Sequence, residues 1–134
     1  MTTGQTPSQT VGPFFALGLT AGQYGYPFTS IAGPDLVRPD TGGDRITISG
    51  RVLDGEGAPV SDALVEIWQA DAAGNYAGRG GNTSFAGFGR TGTGVDAKNR
   101  SVFHTIKPGC VAKNEAPHIN GIVFMRCALT HLFT

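Results

Sequence analysis

His118 and Asn120 stand two residues apart in Ala116-Pro117-His118-Ile119-Asn120, and residues at that spacing on a strand project to the same face. Two imidazoles so placed would grip one metal ion from a rigid sheet. Here the second position carries an amide, whose neutral oxygen is a poorer donor to a non-haem iron than imidazole, carboxylate or phenolate. The pair is half a ligand set. The other histidines, His104 and His131, fall in alternating segments where a satisfied core or edge histidine is the expected role.

The elements that must hold such a pair are strands. Ile46, Ile48 and Val52 alternate with Thr47, Ser49 and Arg51 and run into Asp54-Gly55-Glu56-Gly57, a turn composition. Residues 63–69 put Ala63, Val65 and Ile67 on one face and Leu64, Glu66 and Trp68 on the other, so both faces need cover. Residues 71–96 hold eight glycines with Phe85 and Phe88 as anchors and read as one long loop. Alternation returns over residues 100–106, stops at Pro108-Gly109, and resumes over residues 118–125, with a further strand expected from Ala128.

Residues 1–44 are rich in Gly, Pro and Thr and lack periodicity, which predicts an extended arm. Its apolar members, Phe14, Phe15, Leu17, Leu19, Tyr24, Tyr26 and Phe28, need a surface, supplied by this domain or by a neighbouring chain. The pattern therefore divides the chain into an arm over residues 1–44 and an all-β sandwich core over residues 45–134. Four or five countable strands against the ~7 of a full sandwich lead to the expectation that the core is incomplete at its C-terminal edge.

With 134 residues, ten basic and ten acidic, the chain is expected to form one domain with no electrostatic bias toward nucleic acid. A composition 40% hydrophobic and 15% charged supplies a core and leaves surface for a partner subunit. Cys110 and Cys127 do not form a Cys-x-x-Cys pair and are too few for a disulfide scaffold, so reduced thiols are expected. No stretch approaches the ~20 apolar residues of a membrane span and the N-terminus has no signal-peptide pattern, which gives a soluble, cytoplasmic expectation.

Five motifs occur in fixed order: Thr6-Pro7-Ser8-Gln9-Thr10-Val11-Gly12-Pro13-Phe14-Phe15, Gly50-Arg51-Val52-Leu53-Asp54-Gly55-Glu56-Gly57, Val65-Glu66-Ile67-Trp68-Gln69-Ala70-Asp71, Phe88-Gly89-Arg90-Thr91 and Thr105-Ile106-Lys107-Pro108-Gly109. Together they resemble the intradiol ring-cleavage dioxygenases, from about Thr6 to the last residue. Within that family the chain is most similar to the alpha chains of heteromeric members that act on protocatechuate. The resemblance implies an immunoglobulin-like or prealbumin-like β-sandwich with long loops.

In catalytic chains of the family, two tyrosinates and two histidines bind ferric iron. The resemblance carries these positions onto Tyr76, Val111, His118 and Asn120, so that one phenolate and one imidazole are missing. Loss of both removes charge compensation and half the coordination sphere, and no iron is expected in this chain's own pocket. Cys110 lies one position before Val111, which in an extended segment points it to the opposite face. Tyr76 and His118 are then expected to be hydrogen-bonded relics.

The same resemblance implies that Fe(3+) resides in an iron-bearing beta chain of the same enzyme, the partner in a hetero-oligomer, and that this chain helps to form the pocket. Arg126 is implied to face the substrate, since guanidinium is the donor shaped for a carboxylate. Thr10, Gly12, Pro13 and Phe14 are implied to line the pocket mouth, Phe14 standing where the family usually has Tyr. Arg90 is expected to be a structural hydrogen-bonder of loop carbonyls. The implied activity is intradiol cleavage of protocatechuate to 3-carboxy-cis,cis-muconate by the assembly. Competing readings are a self-contained iron-binding catechol dioxygenase and a purely structural assembly subunit.

Overall fold

A computed structural model describes residues 4, 6–12, 14–78 and 84–134. Among these residues six strands form two antiparallel sheets: β1 (Arg45–Gly50), β2 (Leu64–Gln69), β3 (Phe88–Gly92), β4 (Ser101–Ile106), β5 (Ile119–Phe124) and β6 (Leu132–Phe133). β1 pairs with β4, and the larger sheet has the order β3-β2-β5-β6. Among the described residues helix is confined to α1 (Phe15–Leu19) and two short 3-10 turns. Among the described residues no helix is long and apolar enough to cross a membrane.

The alternation seen in the sequence sets the register. Ile46 and Ile48 of β1 oppose Thr105 and Phe103 of β4. From the other sheet Ile67 joins Phe103, Ile106, Leu36 and Phe85 in one buried cluster, with Ile48, Val65 and Ile119 packed against it. The two sheets thus share one core, as a β-sandwich requires. A polar tie crosses it: the Gln69 side chain donates to the Ile106 carbonyl at 2.9 Å and accepts from the Thr105 hydroxyl at 2.7 Å. Gln69 is fully buried and its hydrogen bonds satisfy it.

Two stretches differ from the sequence reading. Residues 71–96 are not one long loop, because they contain β3. Its hydrophobic alternation is masked by Gly89, where a Cβ would collide with Leu36 and crowd Phe103. The side chain that fills this place comes from another segment, so period-2 counting finds nothing. The strand expected from Ala128 is reduced to Leu132–Phe133, since residues 125–128 form a turn closed by Ala128 N–H to the Met125 carbonyl, with Cys127 at φ 67.

The segment before β1 is woven into the sandwich. Leu36 is buried, its N–H donates to the His104 carbonyl, and the His104 N–H donates to the Pro34 carbonyl. On the other side the Ala86 N–H donates to the Leu36 carbonyl and the Arg90 N–H to Gly33. Further upstream, Gln23 bonds both the Thr91 hydroxyl and the Gly92 N–H, covering the edge of β3.

One loop design recurs three times. Asp54, Asp71 and Asp96 each accept, through Oδ1, the N–H groups two and four residues ahead. The residue three ahead is left-handed each time: Gly57 at φ 84, Gly74 at φ 86 and Asn99 at φ 52. Asx-type bonding of this kind stands in for a backbone turn. The second copy delivers Tyr76 to the site.

Candidate functional site

The outward face of the larger sheet is organised in rows fixed by strand register. One row runs Arg90, Glu66, Ile122, Phe133 across β3, β2, β5 and β6; the next runs Phe88, Trp68, Asn120. Glu66 and Arg90 form an ion pair in which Arg90 Nε and Nη2 reach Glu66 Oε1 at 2.7 and 2.6 Å. Their side chains are only 13% and 16% exposed. The Arg90 guanidinium also lies 5.5 Å above the Phe88 ring. Arg90 therefore serves structure, as expected, but its partner is a cross-strand carboxylate and not loop carbonyls. Only the register reveals that partner.

Tyr76 is carried over this face by residues 71–75. That loop is clamped to the 109–110 turn: the Gly109 N–H donates to the Asp71 carbonyl at 2.8 Å, and a Cβ on Gly74 would overlap the Cys110 carbonyl oxygen. Glycine is required there by this approach and by its positive φ. The Tyr76 ring then stacks on Trp68, centroids 5.6 Å apart and planes 12° apart.

The phenol meets both members of the 118/120 pair. Tyr76 Oη is 3.3 Å from His118 Nε2 and 3.3 Å from Asn120 Nδ2. His118 Nδ1 lies 3.0 Å from the Ala116 carbonyl oxygen, an acceptor only, so Nδ1 carries the proton of the neutral ring. Nε2 is then the acceptor, and Tyr76 donates to it. Asn120 donates its amide N–H to Tyr76 Oη and to the Trp68 carbonyl, the latter at 3.3 Å. Glu115 stands 3.6 Å from His118 Nδ1, on the far side of the ring from Tyr76.

The arrangement is a closed hydrogen-bonded trio. Ferric iron needs anionic donors to balance its charge, and it would have to displace the Tyr76 proton and the amide hydrogens of Asn120. At the fourth position Val111 offers an aliphatic side chain, 40% exposed. Neighbouring Cys110 is exposed and free. These residues do not fit a ferric centre. Among the described residues no group of three or more His, Cys, Asp or Glu could hold a metal ion.

Arg126 lies at the opposite end of β5 from His118. Its Nε donates to Asp62 Oδ2 at 2.6 Å, with side chains 60% and 30% exposed. Thr10 is exposed and donates to the Val11 carbonyl, the Gly12 carbonyl accepts from Phe15 N–H, and Phe14 is 76% exposed. Pro13 lies outside the described residues. A cleft of about 230 Å³ is lined on one side by Ser8, Gln9 and Val11 and on the other by Phe124, Met125 and residues 128–131. Sequence neighbours of Thr10 and of Arg126 thus meet across one cleft, away from the Tyr76 trio. His104 points outward, 3.3 Å from the Thr47 hydroxyl, and His131 sits edge-on to Phe133 at 4.6 Å.

The family model described as Dioxygenase matches residues 29–131. The chain is 50% identical to the protocatechuate 3,4-dioxygenase alpha chain of Burkholderia cepacia, over 97% of this chain and 68% of that protein. It is 44% identical to the protocatechuate 3,4-dioxygenase beta chain of the same organism over 57% of this chain and 34% of that protein. Among solved structures, 3-chlorocatechol 1,2-dioxygenase from Rhodococcus opacus 1CP superposes with a TM-score of 0.62 at 28% identity, covering 81% of this chain and 52% of that one. The chain spans about two thirds of the alpha chain's length and about half of the chlorocatechol enzyme's. The chain therefore belongs to the intradiol ring-cleavage dioxygenases, on their alpha-chain side.

Proposed function

We propose that the chain is the iron-free alpha subunit of a protocatechuate 3,4-dioxygenase, working in the cytoplasm beside an iron-bearing beta chain that completes a hetero-oligomer. The observation that carries this reading is the trio itself: Asn120 spends its amide hydrogens on Tyr76 and Trp68, and Tyr76 spends its proton on His118. Fe(3+) in the beta chain supplies the activation of the catechol and of dioxygen. This chain's contribution is binding, orientation and exclusion of water.

In that role Arg126 leaves or shares Asp62 to pair with the protocatechuate carboxylate, a bidentate match of fork and anion. Thr10, Gly12 and Phe14 form the mouth, backbone and ring pressed against the partner's pocket. The cleft between Ser8, Gln9 and Val11 on one side and Phe124, Met125 and residues 128–131 on the other supports placing these two groups on one side of the subunit. The product of the assembly is 3-carboxy-cis,cis-muconate.

The test is expression of the chain by itself and together with a beta chain that retains two tyrosines and two histidines at the ligand positions. Iron content, the tyrosinate-to-iron absorption band and protocatechuate turnover are expected only in the co-expressed assembly. Stoichiometric iron and turnover in the isolated chain would overturn the reading.

A further inference from the structure

The two sheets are unequal, two strands against four. β4 is covered on one side by β1 and on the other by residues 34–36, whose backbone it bonds. Among the described residues β1 is paired on its β4 side alone. Beside it opens a cleft of about 380 Å³, lined from the β1 side by Ile48, Gly50 and Val52 and from β5 by Ile119, Gly121 and Val123. We propose that this cleft docks an extended strand of another polypeptide, which adds to the edge of β1, turns alternate aliphatic side chains onto β5 and sets an acidic residue beside Arg51.

The cleft makes two demands that one kind of occupant meets. Along Arg45–Gly50 the edge turned away from β4 presents backbone N–H and C=O groups to which, among the described residues, no other strand pairs. The apolar lining is also unfinished, because Ile48, Val65 and Ile119 touch the buried cluster and are themselves only partly buried. A hydrocarbon chain or a flat ring would cover the lining and leave the edge of β1 to water. A strand covers both, since its main chain pairs with β1 while every second side chain enters the cleft.

Charge decides which strand. Arg51 lines the cleft and is exposed, and among the described residues no carboxylate pairs with it. At the other end of β1, Arg45 is committed through Nη2 to the Arg38 and Pro39 carbonyls. A second copy of the chain meets this pattern badly. Antiparallel pairing of β1 with β1 about Ile48 would set Arg45 against Arg51 at both ends, and like charges directly opposite one another destabilise a sheet. An acidic residue on the incoming strand replaces that repulsion with a cross-strand ion pair.

The experiment titrates an end-blocked peptide, Asp-Val-Thr-Val-Thr-Val, into the ¹⁵N-labelled full chain and follows amide shifts and hydrogen exchange. Saturable binding is expected with a Kd of roughly 0.05–2 mM, and exchange should slow at alternate amides of β1 by about tenfold or more. Successive residues of a strand point their N–H groups to opposite edges, so N-methylating the valines, or the threonines instead, tests the pairing itself. One set is expected to weaken binding about tenfold or more and the other less than about threefold. Arg51→Glu, at an exposed side chain, is expected to weaken the peptide about threefold or more, and Lys in place of the peptide's Asp to restore it. No saturable binding, equal effects of the two N-methyl sets, slowed exchange only away from β1, or an Arg51→Glu chain that binds both peptides alike would each overturn the proposal. Exchange at β1 that slows with chain concentration alone would make a second copy the occupant and overturn it as well. Neither a beta chain nor iron enters the measurement, so its outcome is separate from that of the subunit assignment.

Discussion

Arg126 can be tested in a way that separates a substrate-binding cation from a surface ion pair. In the structure its Nε donates to Asp62 Oδ2 at 2.6 Å, with side chains 60% and 30% exposed. An exposed pair of this kind contributes about 0.2–1 kcal/mol. A guanidinium hydrogen-bonded to a substrate carboxylate contributes about 1.5–3 kcal/mol. The difference, roughly 1–2.5 kcal/mol, is the binding energy Arg126→Ala removes, which corresponds to about a 5- to 70-fold rise in KM for protocatechuate. Because the carboxylate is remote from the bonds that change, kcat should fall much less. Asp62→Asn supplies the complementary arm. It releases Arg126 from its competitor and is expected to lower KM about two- to fivefold. The assay is steady-state turnover of the assembly with protocatechuate, and with catechol, which lacks the carboxylate. Arg126→Ala should leave catechol kinetics unchanged. An unaltered KM for protocatechuate in Arg126→Ala, or equal effects on both substrates, would refute the carboxylate role and leave the arginine a partner of Asp62 alone.

Two further outcomes test the scaffold. Gln69→Leu keeps volume but strands the Thr105 hydroxyl and the Ile106 carbonyl in a fully buried place; it should cost about 2–4 kcal/mol in urea unfolding, and a loss under about 1 kcal/mol would remove the tie between the sheets from the account. Asp96 has its carboxyl held below the ordinary carboxylate range, first by the Arg100 backbone N–H and then by the Arg100 side chain and the Lys98 N–H. Its folded value is thus below its unfolded one, so its stabilisation is present above the ordinary carboxylate pKa and is lost as pH falls through the lowered value. Asp96→Asn should therefore flatten the fall of Tm below about pH 4 relative to the unmodified chain, and parallel acid profiles would contradict this.

What the sequence disclosed depended on whether a strand carried its own hydrophobic alternation. β1, β2, β4 and β5 did, and their positions were legible to within a residue or two. β3 did not, because Gly89 yields its place in the core to Leu36, a residue more than fifty positions earlier. The same non-local packing drew residues 33–37 into the sandwich from a stretch with no periodicity. At the site, the 118/120 spacing foretold a shared face, and Tyr76 arrived by resemblance. The Glu66–Arg90 pair was invisible, since cross-strand partners are set by register and not by distance along the chain. Glu66 stood on an alternating segment, but Arg90 lay in a stretch without alternation, so no signal in the sequence joined them.

Period-2 geometry also explains how an outward position can change its chemistry while the fold is kept. On β2 and β5 the core is built by Val65, Ile67 and Ile119, while Glu66, Trp68 and Asn120 face away from it. A substitution at an outward position such as 120 leaves the inward row untouched, and an amide there is satisfied by groups already present, the Trp68 carbonyl and the Tyr76 hydroxyl. Asn120 points a donor at Tyr76, whose own proton goes to His118, so phenol and imidazole are both paired. An aliphatic residue at 120 would remove one partner from Tyr76. The Tyr76 hydroxyl therefore ties Asn120 to this face by hydrogen bonding, and Trp68 is held between Tyr76, stacked at 12°, and Phe88, tilted at 54°.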